Sequence, residues 1–411
     1  MTSRLFPIRT TTSCQLKWNW STLYLHQART ASCHRTAWSD FSSETFDSFH
    51  NTPIKIQDRE AMLDGKWPEH SCAYCKNIEQ VGGTSDRHIH MDHPNRVPVE
   101  LDTNPVATQV TPTVLEVYFN NTCNLGCLYC IPELSSKINQ ENTKFGKFNS
   151  QGVVLESVTI HNQHNEIIEK FWQWMQTNSQ GLTRLHVLGG EPFYQKEFDR
   201  CLEYFDCVAH PALELNIVTN LMIDHDKLSE YIKKFKELLS KKHLKRIDIT
   251  CSIDCTGPEQ EFVRWGMDMD RWRHNFDLLQ QHKWLTLNIN QTISVLTIKT
   301  MPTLMNWLAT WRQRRPIGHS FSVVSPQPSY MDPSILGPGV FDSEFENVLS
   351  LMPDDVNKQY MAGIFKAVQN SSKNPVEMLK LKTFLNEKDR RRGTVWKQVF
   401  PWLAKELEHV V

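Results

Sequence analysis

The rhythm of hydrophobic and polar positions changes near residue 113. Before it, Leu16-Lys-Trp-Asn-Trp20 and Thr22-Leu-Tyr-Leu25 alternate as strands do. Residues 52–66 predict a short helix that ends at Gly65, ahead of Trp67-Pro68. The stretch 89–112 carries Pro94, Pro98, Pro105 and Pro112, the breaker density of a linker. After residue 113, Thr113–Asn120, Leu182–Leu188, Leu213–Thr219, Arg246–Ile253, Leu285–Val295 and Phe321–Val324 each read as a short buried strand. Polar, helix-length segments separate most of them, and Ile167, Ile168, Phe171, Trp172 and Met175 form one apolar helical face.

Six β/α repeats predict an α/β protein built on a partial, TIM-like (β/α)6 barrel over 113–330. In such barrels the chemistry sits at the carboxyl ends of the strands. Residues 12–100 form a small cysteine-rich auxiliary domain, and 341–411 a charged helical C-terminal tail. The basic run Arg390–Arg392 in that tail reads as a solvated helix face with no binding role.

Composition narrows the classes. A chain of 411 residues exceeds one small core, so two or three domains are expected. A net charge of −1 gives no polyanion-binding surface, which disfavours nucleic acid as an obligate partner. No apolar run approaches the roughly 18 residues of a membrane span. Two tight clusters among the 11 cysteines point to metal ligation in a reducing cytoplasm and not to a disulfide framework. The first 39 residues hold Arg4, Arg9, Lys17, Arg29 and Arg35 and no acid, as transit peptides do. Trp18, Trp20, Tyr24, Leu25, Cys14 and Cys33 in the same segment argue against a disposable presequence.

Cys123, Cys127 and Cys130 stand in Asn121-Thr-Cys-Asn-Leu-Gly-Cys-Leu-Tyr-Cys130, directly after the first strand of the repeat. Chance gives C-x3-C-x2-C about 0.01 times in a chain of this composition, so the spacing is informative. Three thiolates on so short a loop can hold three corners of a [4Fe–4S] cluster and leave the fourth iron open. A zinc knuckle would need a further ligand nearby, and Ile131-Pro-Glu-Leu-Ser-Ser136 offers no Cys or His. One β/α unit later stands Gly189-Gly-Glu-Pro192, where glycines admit a ligand close to the backbone and a carboxylate can hold an amine.

On these residues the chain resembles the radical S-adenosylmethionine (radical SAM) superfamily, and within it the proteins with an auxiliary-cluster twitch or SPASM-like module. The resemblance implies that Cys123, Cys127 and Cys130 ligate the cluster, and that the open iron chelates the amino and carboxylate groups of S-adenosylmethionine. Gly189, Gly190, Glu191 and Pro192 would then contact that amino group. Tyr129 matches the aromatic position beside the adenine. Ser252 and Asp254, in Thr250-Cys-Ser-Ile-Asp-Cys-Thr-Gly257, match the positions that bind the ribose or methionine end. Alternation places both on one face. Asn220 and Arg264 are further candidates, Arg264 as a partner for the cofactor carboxylate, with Asn290 and Gln291 behind them. No residue stands out as a catalytic acid, base or nucleophile; Cys255 is considered as a hydrogen-atom donor.

Upstream, Cys14, Cys33, Cys72 and Cys75 give C-x18-C-x38-C-x2-C. Four thiolates close either a cubic cluster or a tetrahedral zinc site, and spacing does not choose between them. The flanks Met62–Pro68 and Gly82–Arg87, and the tail Phe384–Pro401, resemble twitch-containing proteins that carry this module ahead of the barrel, which implies a second, auxiliary Fe–S cluster. Two departures stand out. Cys33-His34 replaces a frequent Cys-Cys pair, and the Cys14–Cys33 hairpin lacks the usual glycine turn. Cys201 and Cys207 read as buried thiols on a helix.

The resemblance implies an enzyme that cleaves S-adenosylmethionine reductively and abstracts hydrogen from a peptide or protein side chain, served by a one-electron reductant of flavodoxin or ferredoxin type. A small metabolite is the alternative substrate, and a metal-stabilised scaffold or electron carrier the alternative class. Only 13 residues precede Cys14, so a leader peptide is expected to be held by the barrel or by a separate protein.

Overall fold

A computed structural model describes residues 11–33, 35–69, 71–80, 82–83, 85–88, 107–324 and 328–410. Residues 89–106 of the predicted linker 89–112, His34, and the basic residues Arg4 and Arg9 lie outside them. The chain is organised by one nine-stranded sheet. Its strands are β1 (Trp20–Tyr24), β2 (Arg29–Ala31), β3 (Ser39–Asp40), β4 (Val114–Tyr118), β5 (Arg184–Leu188), β6 (His210–Thr219), β7 (Leu244–Ser252), β8 (Thr286–Ile293) and β9 (Gly318–Val323). The spatial order is β9-β8-β7-β6-β5-β4-β1-β2-β3. From β4 to β9 every pairing is parallel and every neighbour is the next strand of the repeat. All six predicted strands are therefore present, with ends trimmed or extended by a few residues.

Alternation along these strands separates two faces. Leu115, Val117, Leu185, Val187, Leu215, Ile217, Ile247 and Ile249 are fully buried in one core with Phe171, Phe198, Phe235, Trp272 and Phe276 of the intervening helices. The opposite face is polar. Glu116, His186 and Asn216 are direct register partners across β4, β5 and β6. Asn216 Nδ2 donates to Thr250 Oγ1 of β7 at 3.0 Å, and His186 Nδ1 lies 3.1 Å from Asn216 Oδ1. The six-strand parallel array thus buries one face against helices and presents polar residues on the other.

The amino-terminal block joins the same sheet. β1 runs parallel to β4, from Trp20 beside Val114 to Tyr24 beside Tyr118. β2 returns antiparallel through a 3-10 turn, Leu25–Gln27. Ala28 closes that turn at φ +53°, taking the left-handed conformation that the missing glycine would have eased. Leu16–Asn19 is a helical turn, not the strand its alternation predicted. Trp18 N donates to Gln15 O at 3.0 Å and Lys17 N to Cys14 O at 3.1 Å, so local turn bonds override the period-two pattern. The predicted helix is present as Pro53–Leu63, with Pro53 in its first turn, where a missing N–H costs nothing.

The basic run of the tail is not a solvated face. In the helix Pro375–Arg392, Lys388, Arg391 and Arg392 fall at i, i+3 and i+4 and are buried together. Lys388 and Arg392 both engage Glu141, Arg392 through Nε at 2.6 Å. Arg391 donates to Asn142 Oδ1 and the Gly146 carbonyl. Only Arg390 is largely exposed. Cys201 is buried as expected, whereas Cys207, at the end of the helix Lys196–Cys207, is exposed. No helix among the described residues is long and apolar enough to cross a membrane.

Candidate cofactor site

The loop carrying Cys123, Cys127 and Cys130 leaves the carboxyl end of β4 and is fastened at several points. Ser136 N donates to Asn121 O at 2.6 Å, and Cys123 N to Ser136 Oγ at 3.0 Å. Ser135 caps the helix Ser136–Phe145, accepting from Ile138 N, and its hydroxyl donates to Leu125 O. Gly126–Cys127 pairs antiparallel with Arg264–Trp265, placing Arg264 opposite Cys127. Leu128 N then donates to Val263 O at 2.8 Å.

Burial pushes the Cys123 thiol up to about 12, with Cys127 adding to the effect. It also raises Cys130, where Cys127 and Cys123 contribute, and Cys127, where Arg264 opposes it. The three thiols thus lie within electrostatic reach of one another in a site too dry to hold bare thiolates. A bound metal centre would supply the charge that ionises them. Among the described residues no three His, Cys, Asp or Glu side chains converge on a single ion.

Gly189–Pro192 packs directly on this loop. Gly190 has φ +57°, and a Cβ built on it would stand 2.1 Å from the Thr122 carbonyl oxygen. Glu191 N donates to that same oxygen at 2.7 Å, and Gly190 N to Leu134 O at 3.1 Å. Glu191 itself is buried and engaged internally. It accepts from Thr219 Oγ1 at 2.7 Å, from Asn220 N at 2.6 Å and from Phe193 N at 3.4 Å. Burial raises its carboxyl to about 7 against the pull of those donors. The carboxylate expected to meet an amine is thus spent on fixing the end of β6. Asn220 carries that link to the cysteines, its Nδ2 donating to Asn124 Oδ1 at 2.8 Å and lying 3.9 Å from Cys123 Sγ.

On the other flank, Tyr129, Asp254 and Arg264 form one buried network. Arg264 Nε and Nη2 each donate to Asp254 at 2.8 Å, and Tyr129 OH donates to Asp254 Oδ2 at 2.6 Å. Thr292 N and Gln291 Nε2 complete the shell on the Asp254 carboxylate and carbonyl. Arg264 and Asp254 therefore serve each other. Ser252 ends β7, buried, with Asn290 as its register partner on β8. Cys255 is buried and its thiol lies 3.5 Å from Gln260 Oε1, which also accepts from Asp254 N and Cys255 N. Gln260, Ser135, Ser136 and Arg392 support the site and were not singled out in the sequence. The i, i+3, i+4 spacing of Lys388, Arg391 and Arg392 was the available signal for the last.

Cys14, Cys33, Cys72 and Cys75 line one cavity, shared with Lys17, Arg35 and Arg87. Burial raises Cys33 to about 11, with Lys17 opposing, and raises Cys14 and Cys75 as well. Lys17 is buried, its Nζ 2.5 Å from Asp58 and 2.9 Å from Ser71 Oγ, whose hydroxyl lies 3.6 Å from Cys72 Sγ. Cys14 precedes β1 and Cys33 follows β2, so this group lies beyond the amino ends of the parallel strands. Cys123–Cys130 lies beyond the carboxyl ends.

No family model and no curated protein matches the chain. Solved structures align with it. Streptococcus suis SuiB bound to S-adenosylmethionine shares 18% identity at TM-score 0.36, over 54% of this chain and 43% of that one. Streptococcus suis SuiB bound to precursor peptide SuiA shares 14% at TM-score 0.35, over 75% and 62%. Native anSMEcpe with bound AdoMet and Kp18Cys peptide shares 16% at TM-score 0.37, over 61% and 62%. The chain spans under half of the first of these and under two thirds of the others. Two of the three hold S-adenosylmethionine.

Proposed function

We propose that this protein is a radical SAM enzyme whose sheet curls into a partial (β/α)6 barrel over 113–330. Cys123, Cys127 and Cys130 hold a [4Fe–4S] cluster, and Cys14, Cys33, Cys72 and Cys75 an auxiliary one within the 12–100 module. The helical extension 341–411 braces the helix Ser136–Phe145, which follows the cysteine loop, through Glu141. A cluster held by these thiolates, given one electron from an external reductant, would supply together with S-adenosylmethionine the chemistry of hydrogen abstraction from the substrate. The chain's own residues position and shield. Gly190 brings the Gly189–Pro192 backbone against the cysteine loop, where the amino group of S-adenosylmethionine is expected. Ser252, buried at the end of β7, is the polar side chain for the rest of that molecule, and Asn220, held by Asn124 and Met222 N, fixes the strand end beside Cys123. Tyr129, Asp254 and Arg264 hold the loop's outer flank shut and keep water from Cys127.

The substrate we favour is a peptide or protein side chain, because the front cysteine module resembles those of peptide-modifying relatives; the electron donor is a flavodoxin or ferredoxin. One observation carries the reading: three thiols, Cys127 buried and Cys123 and Cys130 partly so, on a loop at the carboxyl end of β4 that packs against Gly190. The test is anaerobic reconstitution with iron and sulfide, then incubation with S-adenosylmethionine and dithionite. We expect 5′-deoxyadenosine from the parent protein and none from Cys127→Ala. A reconstituted protein that binds iron yet makes no nucleoside would sink the proposal in favour of a scaffold or electron carrier.

A further inference from the structure

Around the front cysteines the chain buries more positive charge than its own acids neutralise. Lys55, Asp58 and Arg59 fall at i, i+3 and i+4 on the helix Pro53–Leu63, and all three are buried. Lys17, also buried, takes Asp58 as its ion partner at 2.5 Å. The other two cations meet only neutral acceptors among the described residues. Lys55 Nζ donates to Ser21 Oγ at 2.9 Å, Thr30 Oγ1 at 2.6 Å and Phe49 O at 2.9 Å, a full set for an ammonium. Arg59 donates to the carbonyls of Ala107, Lys17 and His50 and to Asn51 Oδ1. Glu60 is exposed. Glu116 meets Thr22, which by alternation faces away from Ser21 and hence from Lys55. Arg35 and Arg87 at the cavity have acids of their own, Asp86 and Glu79. Lys17, Lys55 and Arg59 thus share Asp58 alone. Buried charge persists only when compensated, so an anion belongs beside them.

The four cysteines mark where it sits. Lys17 lines their cavity, and Ser71 Oγ, 2.9 Å from Lys17 Nζ, lies 3.6 Å from Cys72 Sγ. Thr30, which holds Lys55, lies on β2, the strand that leads into Cys33. Burial opposes the charge on both lysines. At Lys17 the Cys72 and Asp58 charges outweigh it. At Lys55 burial prevails, helped by Lys17 and Arg59, while Asp58 and Cys33 pull the other way. Four thiolates around a core of net charge +2, cubic cluster or zinc, carry about −2, and three thiolates about −1. Only the first matches three cations against one acid. We propose that the front cavity takes an anionic, four-thiolate metal centre and that Lys17 and Lys55 are its buried counter-charges. This rests on the reading of Cys14, Cys33, Cys72 and Cys75 as metal ligands, and adds the charge of what they hold.

The test uses the full-length chain with Cys123, Cys127 and Cys130 replaced by Ala, reconstituted with iron and sulfide so that only the front cysteines hold metal. Lys55→Met and Lys55→Gln both remove the charge, and Gln keeps a donor for Ser21 or Thr30. Both should release iron at about tenfold lower chelator concentration than the parent, the scale of one charge pair in a protein interior. Their urea unfolding midpoints should fall in the loaded protein and hold or rise once the iron is stripped, since an uncompensated cation is then gone. Asp58→Asn removes the competing acid, leaves both lysines in place and should shift iron release the other way. Equal stability losses with and without iron, or a Gln variant that behaves as the parent, overturn the inference and leave the four-cysteine reading intact. So does an Asp58→Asn protein that releases iron as early as the Lys55 variants. A parent chain that takes up no iron overturns the four-cysteine reading, and the inference with it.

Discussion

Arg264 meets Asp254 with two parallel donors at 2.8 Å while its own backbone lies opposite Cys127 in a two-residue ribbon. One residue therefore ties the end of β7 to the cysteine loop. Removing one partner of a buried ion pair strands the other charge, at about 3–5 kcal/mol. Arg264→Met should lose stability on that scale. Tyr129→Phe removes one hydrogen bond to the same carboxylate and should lose less, about 1.5–3 kcal/mol. Urea unfolding midpoints at unchanged m give the ranking, and equal losses would show that the network is not centred on Arg264.

Gly190→Ala tests the close approach of two loops. The added methyl would stand 2.1 Å from the Thr122 carbonyl oxygen, on a backbone at φ +57°. Backbone cannot yield as a flexible side chain does, so the loops must part. The cost should exceed the roughly 1 kcal/mol of an unfavourable φ alone. Bound iron after reconstitution should fall while circular dichroism stays unchanged. Full iron loading would mean that the two loops need not touch.

Cysteine replacements sort ligands from bystanders. Cys207 is exposed at a helix end, so Cys207→Ser should change neither iron content nor, beyond about 0.5 kcal/mol, stability. Cys33→Ser should remove about half of the bound iron if four thiolates fill the front cavity. Iron and sulfide assays decide this, and unchanged iron in Cys33→Ser would remove Cys33 from the ligand set.

Glu214 predicts the acid limb of stability. Burial pushes its carboxyl up, but hydrogen bonds from Arg184 and Lys245, with the Arg184 and Arg246 charges, outweigh burial and hold it below its ordinary 4.5. A carboxyl lowered in the folded state stabilises above its unfolded value and loses that contribution as pH falls through the folded one. The parent protein should therefore lose stability below about pH 4.5, and Glu214→Gln should be less stable at pH 7 with a flatter acid limb. Parallel acid limbs would assign the loss to other carboxylates.

The repeat of strands was legible because each is a short β-branched run with a buried side, as in Leu213–Thr219. The cysteine motif was legible because it is local. Relations across the sequence were not. Tyr129, Asp254 and Arg264 each drew attention singly, but that they answer one another follows only once β7 and the cysteine loop lie side by side. Glu191 stood out as a carboxylate beside glycines, and its partners Thr219 and Asn220 lie almost 30 residues on. The run Arg390–Arg392 looked solvated because its acceptors, Glu141 and Asn142, lie about 250 residues earlier. Leu16–Asn19 alternates like a strand but is too short for period to outweigh turn bonds.

The parallel pairing of β1 with β4 has a mechanical meaning. The chain leaving Cys14 and the chain arriving at Cys123 are rungs of one ladder, five residues long, with the two thiol groups at its opposite ends. The ladder itself contributes about 16 Å of that path at 3.3 Å per residue. Electrons moving between the two ends would cross a fixed gap, and a molecule lying on the polar face beside Glu116 and His186 would sit between both terminals at once.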